Sequence, residues 1–356
     1  MGILHIPRPC NVGRVAALAL WACACLAPAA AAPPEPPWAA VPFQKGVVYS
    51  SWDGSYPHRD AWQAHLDELQ AWGVEWIQVM TFAHQPAVDG PGIEPAPAER
   101  WPGAFVDAAR RRGLRILLKP HVWSRQFYDG SKRWRGDIRM DDPAEWARWF
   151  DQYERFIVRE AQQAARHGVE TLSVGLEYVH ATKPAHTARW RALIQAVRRV
   201  YPGQVLYAAD GNHELDHIAF WDALDAIGVN AYFSLGDAAH PAALAAAWVP
   251  HLARLEALAT RHRKPILLTE AGYPSVQGAA ARPWQWPTGR EVADPLGQAQ
   301  AYQALLVACT GRPWCRGVYW WKLYERPEST PLTHDYTPRG KPALDVLRRW
   351  YGRPIP

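Results

Sequence analysis

Eight short runs of apolar, β-branched and aromatic residues recur along the chain: 46–52, 76–82, 115–123, 171–176, 205–209, 226–233, 265–268 and 317–324. Between most of them lie longer stretches of helical character. The clearest, 142–167, repeats its apolar residues Trp146, Trp149, Phe150, Tyr153, Ile157, Ala161 and Ala164 with a period near 3.6. Asp142 can cap it, with Pro143 in the first turn. Further helices are expected near 60–72, 99–112, 185–200, 242–263, 294–310 and 341–350. Continuous apolar runs suit strands buried on both faces. Eight strand–helix units match an α/β fold, the (β/α)8 TIM barrel. The rival, a doubly wound open sheet, usually carries a glycine-rich phosphate turn after its first strand, and Ser50-Ser51-Trp52-Asp53-Gly54 is not one.

The 356 residues, 49% hydrophobic, suffice for one large domain. Residues 1–32 have the layout of a secretory signal peptide: Arg8 and Arg14, an apolar run from Val15 to Leu26, then Ala29–Ala32. Residues 33–40 read as a proline-rich spacer and 41–352 as one catalytic domain. The expected destination is outside the cytoplasm, secreted or periplasmic. Cys23 is a candidate lipid-attachment cysteine that would make the chain a lipoprotein, but Trp21 fits that signal badly and simple export is preferred. No apolar segment is long enough for a membrane span. Outside the leader stand Cys309 and Cys315, which either pair or remain two buried thiols. The net charge of +5 is scattered, so no nucleic-acid partner is expected. The 20 tryptophans serve a wide core, flat stacking surfaces for sugar rings, or both.

In such barrels chemistry sits at the carboxyl ends of the strands. Strand four ends in Glu177 and strand seven in Glu270, across the barrel mouth from each other. Other strand ends offer Trp52, His84, Lys119, His121, Trp123, His180, Asp210, Asn230, Tyr232, Trp321 and Lys322. Two carboxylates about 5–5.5 Å apart suit retaining glycoside hydrolysis, one as acid/base and one as nucleophile. That assigns Glu177 as acid/base and Glu270 as nucleophile. The alternative for either glutamate is a plain ion pair, with Lys119 or an arginine. Clustering of His84, His121, His180 and His213 would instead suggest a metal-dependent hydrolase, but no His-x-His stands on the first strand. There is no Gly-x-Ser-x-Gly elbow. Neither a metal nor a cofactor is expected.

The sequence resembles glycoside hydrolase family 113, whose characterised members are largely β-1,4-mannanases, within a clan of retaining (β/α)8 glycosidases. The resemblance rests on Leu118-Lys119-Pro120-His121-Val122, Trp134-Arg135-Gly136, Val174-Gly175-Leu176-Glu177, the segment 227–233, Thr269-Glu270-Ala271-Gly272-Tyr273-Pro274-Ser275 and Tyr319-Trp320-Trp321. It implies an endo-β-1,4-mannanase acting on mannan or glucomannan by double displacement. It also implies that Tyr232 touches the nucleophile and that Trp321 floors the cleavage subsite, with Trp320 facing the helices. Lys119 and His121 would hold sugar hydroxyls, and Trp284 and Trp286 would wall further subsites. Leu176 stands where many clan members place an Asn that binds the sugar 2-hydroxyl. A barrel that binds carbohydrate without turnover is the remaining alternative.

Overall fold

The computed structural model describes residues 41–51, 54–325 and 330–355. The leader, the spacer, Cys23 and Trp52 lie outside the described residues. Eight parallel strands close into a barrel: β1 (Gln44–Ser50), β2 (Trp76–His84), β3 (Arg115–Trp123), β4 (Thr171–Leu176), β5 (Gln204–Asp210), β6 (Ala226–Asn230), β7 (Ile266–Ala271) and β8 (Cys315–Tyr324). Closure is made by β1, which pairs with β2 from Gly46↔Trp76 and with β8 from Gln44↔Gly317. A two-residue arm, Glu94–Pro95, pairs antiparallel with the end of β2.

Among the described residues seven α-helices surround the barrel: α1 (Arg59–Ala71), α2 (Gly103–Arg111), α3 (Pro143–Arg166), α4 (Thr187–Arg198), α5 (Pro241–His262), α6 (Pro295–Cys309) and α7 (Pro342–Tyr351). The seven helical stretches expected from the sequence are all present, and none was expected between the fifth and sixth strands. The fifth crossover, between β5 and β6, carries a single 3-10 turn, Trp221–Ala223. Its Trp221 and Phe220 are fully buried and fill the space that a helix face would otherwise cover.

Helix α3 follows its sequence pattern closely. The Asp142 carboxylate accepts from the Ala144 amide at 2.8 Å, meeting one of the unpaired N–H groups of the first turn. The stripe from Trp149 to Ala164 is buried against β3 and β4. Several tryptophans do serve the core: Trp72, Trp149, Trp190, Trp221, Trp248 and Trp320 are almost fully enclosed. Trp320 stacks on Tyr302 of α6 with ring centroids 3.7 Å apart, on the helix side of β8. Cys309, at the end of α6, and Cys315, at the start of β8, form a disulfide with Cα atoms 5.6 Å apart. No helix among the described residues is long and apolar enough to cross a membrane.

The strands that deliver the two glutamates share a local irregularity. Pairing of β4 with β5 shifts register between Ser173 and Leu176, and pairing of β6 with β7 shifts at Val229/Asn230, just before Glu270. An extra residue in one strand bends it and re-aims the next side chains. Gly175 sits inside the first shift. A Cβ there would lie 2.8 Å from the rings of Trp190 and Tyr207 and 2.9 Å from the Tyr153 hydroxyl. Glycine is thus what lets the helix-side aromatics close on β4.

Candidate active site

A cavity of about 1020 Å³ opens at the carboxyl ends of the strands. Both Glu177 and Glu270 line it, and each is more than nine-tenths buried. Glu177 follows β4 directly with φ of 53°, a left-handed backbone that a non-glycine residue adopts at some cost. Its amide donates to the Ala208 carbonyl at 3.1 Å, and the Tyr178 amide donates to the Tyr207 hydroxyl at 2.9 Å, which hold the turn.

The two carboxylates are joined through two side chains. Asn230, at the end of β6, donates from Nδ2 to Glu177 Oε1 at 2.6 Å. Its Oδ1 accepts from Thr269 Oγ1 at 2.9 Å and from Lys119 Nζ at 3.4 Å. Those donors fix which way the amide faces. Lys119 Nζ also donates to Glu270 Oε1. The Gln78 amide, oriented so that both its atoms are satisfied, accepts from Lys119 Nζ at 2.9 Å and donates to the Thr269 carbonyl at 2.7 Å. Glu270 Oε2 accepts from the Tyr232 hydroxyl at 3.0 Å. A carboxylate that receives an ammonium and a phenol is stabilised as the anion that a nucleophile must be. Burial, with Glu270 next, raises the Tyr232 pKa well above that of an ordinary phenol, so the group stays a donor.

Glu177 has the opposite environment. Burial raises its pKa to about 7; Arg135 opposes the rise, while the Glu270 and Asp210 charges add to it. Two acids with environments of this contrast are suited to separate acid/base and nucleophile roles. Arg135 comes from the loop after β3. Its Nη1 donates to Glu177 Oε2 at 2.7 Å, and its Nη2 meets His121 Nδ1 at 3.0 Å. A guanidinium has no acceptor, so Nδ1 accepts and the proton of neutral His121 sits on Nε2. Burial first, then the charges of Arg135, Lys119 and Lys322, lower the His121 pKa well below its usual value.

The remaining expected residues divide. His121, Tyr232, Trp284, Trp286 and Trp321 line the cavity. Lys119 corrects an expectation: it does not line the cavity and is wholly enclosed, with its ammonium engaged by Glu270, Asn230 and Gln78. It is therefore placed to hold the nucleophile rather than a sugar hydroxyl. His84 does not line the cavity. Two residues escaped the strand-end reading. Gln78 lies in mid-strand, where its one signal was a polar residue inside an apolar run. Arg135 lies on a loop, where no strand register points to it.

The spacing His213-Glu214-Leu215-Asp216-His217 is that of a zinc-binding helix, but here the segment forms turns. His213 Nδ1 contacts Asp210 Oδ1 at 2.8 Å, and His217 Nε2 contacts Thr182 Oγ1 at 3.0 Å. No group of three His, Cys, Asp or Glu side chains among the described residues is placed to hold a metal ion.

Aromatic rings flank the carboxylates on two sides. Trp123 and Tyr128 stack at 5.1 Å beside β3, and Tyr128 is 64% exposed. Opposite stand Trp284, Trp286 and Trp321, with Trp286 edge-on to Trp321 at 6.4 Å. The Lys322 ammonium lies 5.0 Å from the Trp286 ring centroid and 4.7 Å from that of Trp321. Such rims suit a polar ligand with flat apolar faces, gripped by stacking and hydrogen bonds.

The family model for Glycoside Hydrolase Family 113 matches residues 47–341. Among solved structures, a family-113 β-mannanase from Alicyclobacillus acidocaldarius, solved in complex with ManMIm, is 27% identical with a TM-score of 0.77, covering 88% of this chain and 98% of its own. A second family-113 β-1,4-mannanase is 28% identical with a TM-score of 0.75, covering 87% and 99%. A β-glucuronidase from Faecalibacterium prausnitzii, 14% identical with a TM-score of 0.59 over 88% of this chain and 49% of its own, shares the fold alone. No curated protein matches the sequence significantly.

Proposed function

Since this chain belongs to glycoside hydrolase family 113, we propose that it is a retaining endo-β-1,4-mannanase, cleaving mannan or glucomannan with Glu270 as nucleophile and Glu177 as acid/base. The observation that carries this reading is the pair of buried carboxylates on one cavity, bridged by Asn230 and Lys119 and differently protected. The similarity to two β-mannanase structures supports the substrate class.

In the first step a Glu270 oxygen attacks the anomeric carbon while the Glu177 proton passes to the glycosidic oxygen. The C–O bond to the leaving sugar breaks, and a glycosyl ester forms on Glu270. In the second step Glu177, now an anion, takes a proton from water. The hydroxide oxygen bonds to the anomeric carbon, and the ester electrons return to Glu270. Lys119 and Tyr232 hold Glu270 for attack and take up its charge again on release. With Lys119 engaged there, His121 is the one of the two expected sugar-hydroxyl partners that reaches the cavity.

Export of the chain is part of the proposal. The leader pattern supports it, as does the Cys309–Cys315 disulfide, since such bonds persist in oxidising compartments.

The test is Glu177→Gln and Glu270→Ala, assayed for new reducing ends on mannan, glucomannan and cello-oligosaccharides. Each variant should lose at least about a thousandfold in kcat with an unchanged circular dichroism spectrum. Activity surviving in both rejects the assignment. Binding of oligosaccharide by wild type without any turnover supports the carbohydrate-binding alternative, and loss of activity in chelator a metal-dependent hydrolase.

A further inference from the structure

The turn that carries Arg135 is built to hold one side chain in place. The Asp137 carboxylate accepts from the Trp134 amide at 2.9 Å, and the Asp137 amide returns to the Trp134 carbonyl at 3.0 Å. Gly136 packs beneath the Trp134 indole, where a Cβ would lie 2.3 Å from the ring. The product of this turn is a buried guanidinium, 12% exposed at the side chain, that reaches two residues of the barrel at once.

We propose that Arg135 is a positioning residue for the acid/base: from a loop outside the barrel, its guanidinium fixes the Glu177 carboxylate and the proton-free Nδ1 of His121 together. This rests on the reading of Glu177 as acid/base. The geometry leaves Glu177 two partners, Asn230 on one oxygen and Arg135 on the other. Asn230 is neutral and locked from behind by Thr269 and Lys119. Arg135 is therefore the partner whose attraction changes with the charge of Glu177. It is weak while Glu177 holds its proton and strong once the proton has gone to the leaving oxygen. That balance favours proton delivery in the first step and keeps the resulting anion in place for the second.

Other charges around Glu177 act the other way or are already committed. Glu270 and Asp210 face it from β7 and from the end of β5 and oppose a second negative charge, and Glu214, in the turn after β5, does so only once its own raised pKa is passed. Lys119 on β3 is a cation but is paired with Glu270. His121 is neutral, and the Tyr178 and Tyr232 phenols stay protonated. Arg135 is thus the cation in direct contact with Glu177. An opposite charge at this range moves a carboxylate by about 1–3 pH units.

The experiment compares wild type, Arg135→Met, Arg135→Lys and Glu177→Gln on two substrates, a manno-oligosaccharide and an aryl β-mannoside whose phenolate leaves without protonation. In Arg135→Met the alkaline limb of kcat/KM should move up by about one pH unit or more. Loss of kcat/KM should be at least tenfold greater on the oligosaccharide than on the aryl substrate. Arg135→Lys should return the limb most of the way, because it restores the charge. A limb that stays in place in Arg135→Met, or equal losses on both substrates, overturns the proposal. Should Arg135→Met fail to fold, the Arg135→Lys and Gly136→Ala limbs decide, the second being expected to move in the direction of the Met variant. Glu177→Gln separates the two readings. If it lowers kcat/KM, which reports the first step, equally on both substrates, the acid/base assignment itself falls, whatever Arg135 does.

Discussion

Glu214 is fully buried, and both its oxygens accept hydrogen bonds: from the Asp210 amide at 2.8 Å, from Thr182 at 2.9 Å and from Tyr207 at 3.2 Å. Burial nevertheless outweighs these donors and raises its pKa from 4.5 to about 8, while burial sets Glu177 at about 7. A carboxyl whose folded pKa lies above its unfolded value stabilises the fold fully below the unfolded value. That contribution is lost as pH rises through the folded value. Unfolding free energy should therefore fall between about pH 5 and 8, each group adding a slope of at most about 1.4 kcal/mol per pH unit. In Glu214→Gln the slope should be visibly shallower, as denaturant melts at pH 5, 6.5 and 8 would measure. A slope equal to that of wild type would mean that Glu214 is ionised in the native state. Lys119 teaches the same lesson in reverse. Its place at a strand end was legible, but its full enclosure was not, because enclosure depends on the neighbours Gln78, Asn230 and Glu270 contributed by three other strands.

At the scale of elements, the register shift in β4 is where local sequence and packing meet. Gly175→Ala places a methyl group against Trp190, Tyr207 and Tyr153, and none of these buried rings can swing away cheaply. The expected loss is about 1–3 kcal/mol of stability. Because Glu177 stands two residues on, activity should fall by more than the unfolded fraction accounts for. Urea melts and assays on the same samples test both parts, and a Gly175→Ala enzyme of full activity would show that β4 tolerates the shift. Strand and helix periods were readable along most of the chain, above all in α3, since its cap and its stripe are both local. Local pattern failed at one place. Strand β6 ends at Asn230, not at Phe233. There the chain leaves the ladder, and the Ala231 amide donates to the Glu270 carbonyl at 2.6 Å. In the fifth crossover, where the sequence offered no helical stretch, the chain makes a 3-10 turn, and buried Phe220 and Trp221 cover that side of the barrel.

At the largest scale the described residues form a closed barrel with aromatic rings at its mouth, and the prediction at this scale concerns substrate length. Trp284 is 50% exposed and Trp286 40%, an unusual price in apolar surface unless a ligand covers them. Trp284→Ala should raise KM on long manno-oligosaccharides roughly fivefold, about 1 kcal/mol, and leave a short aryl mannoside nearly unchanged. Equal KM values across chain lengths would remove Trp284 from the binding surface. The sequence alone determined the barrel and the two glutamates, because strand period and strand-end position are local properties that a single run of residues carries. Tertiary structure alone decided which charges meet: that Lys119 serves Glu270, that Asn230 stands between the carboxylates, and that a loop arginine reaches Glu177. Burial and ion pairing are set by residues far apart in the chain, and no local pattern encodes the distance between them.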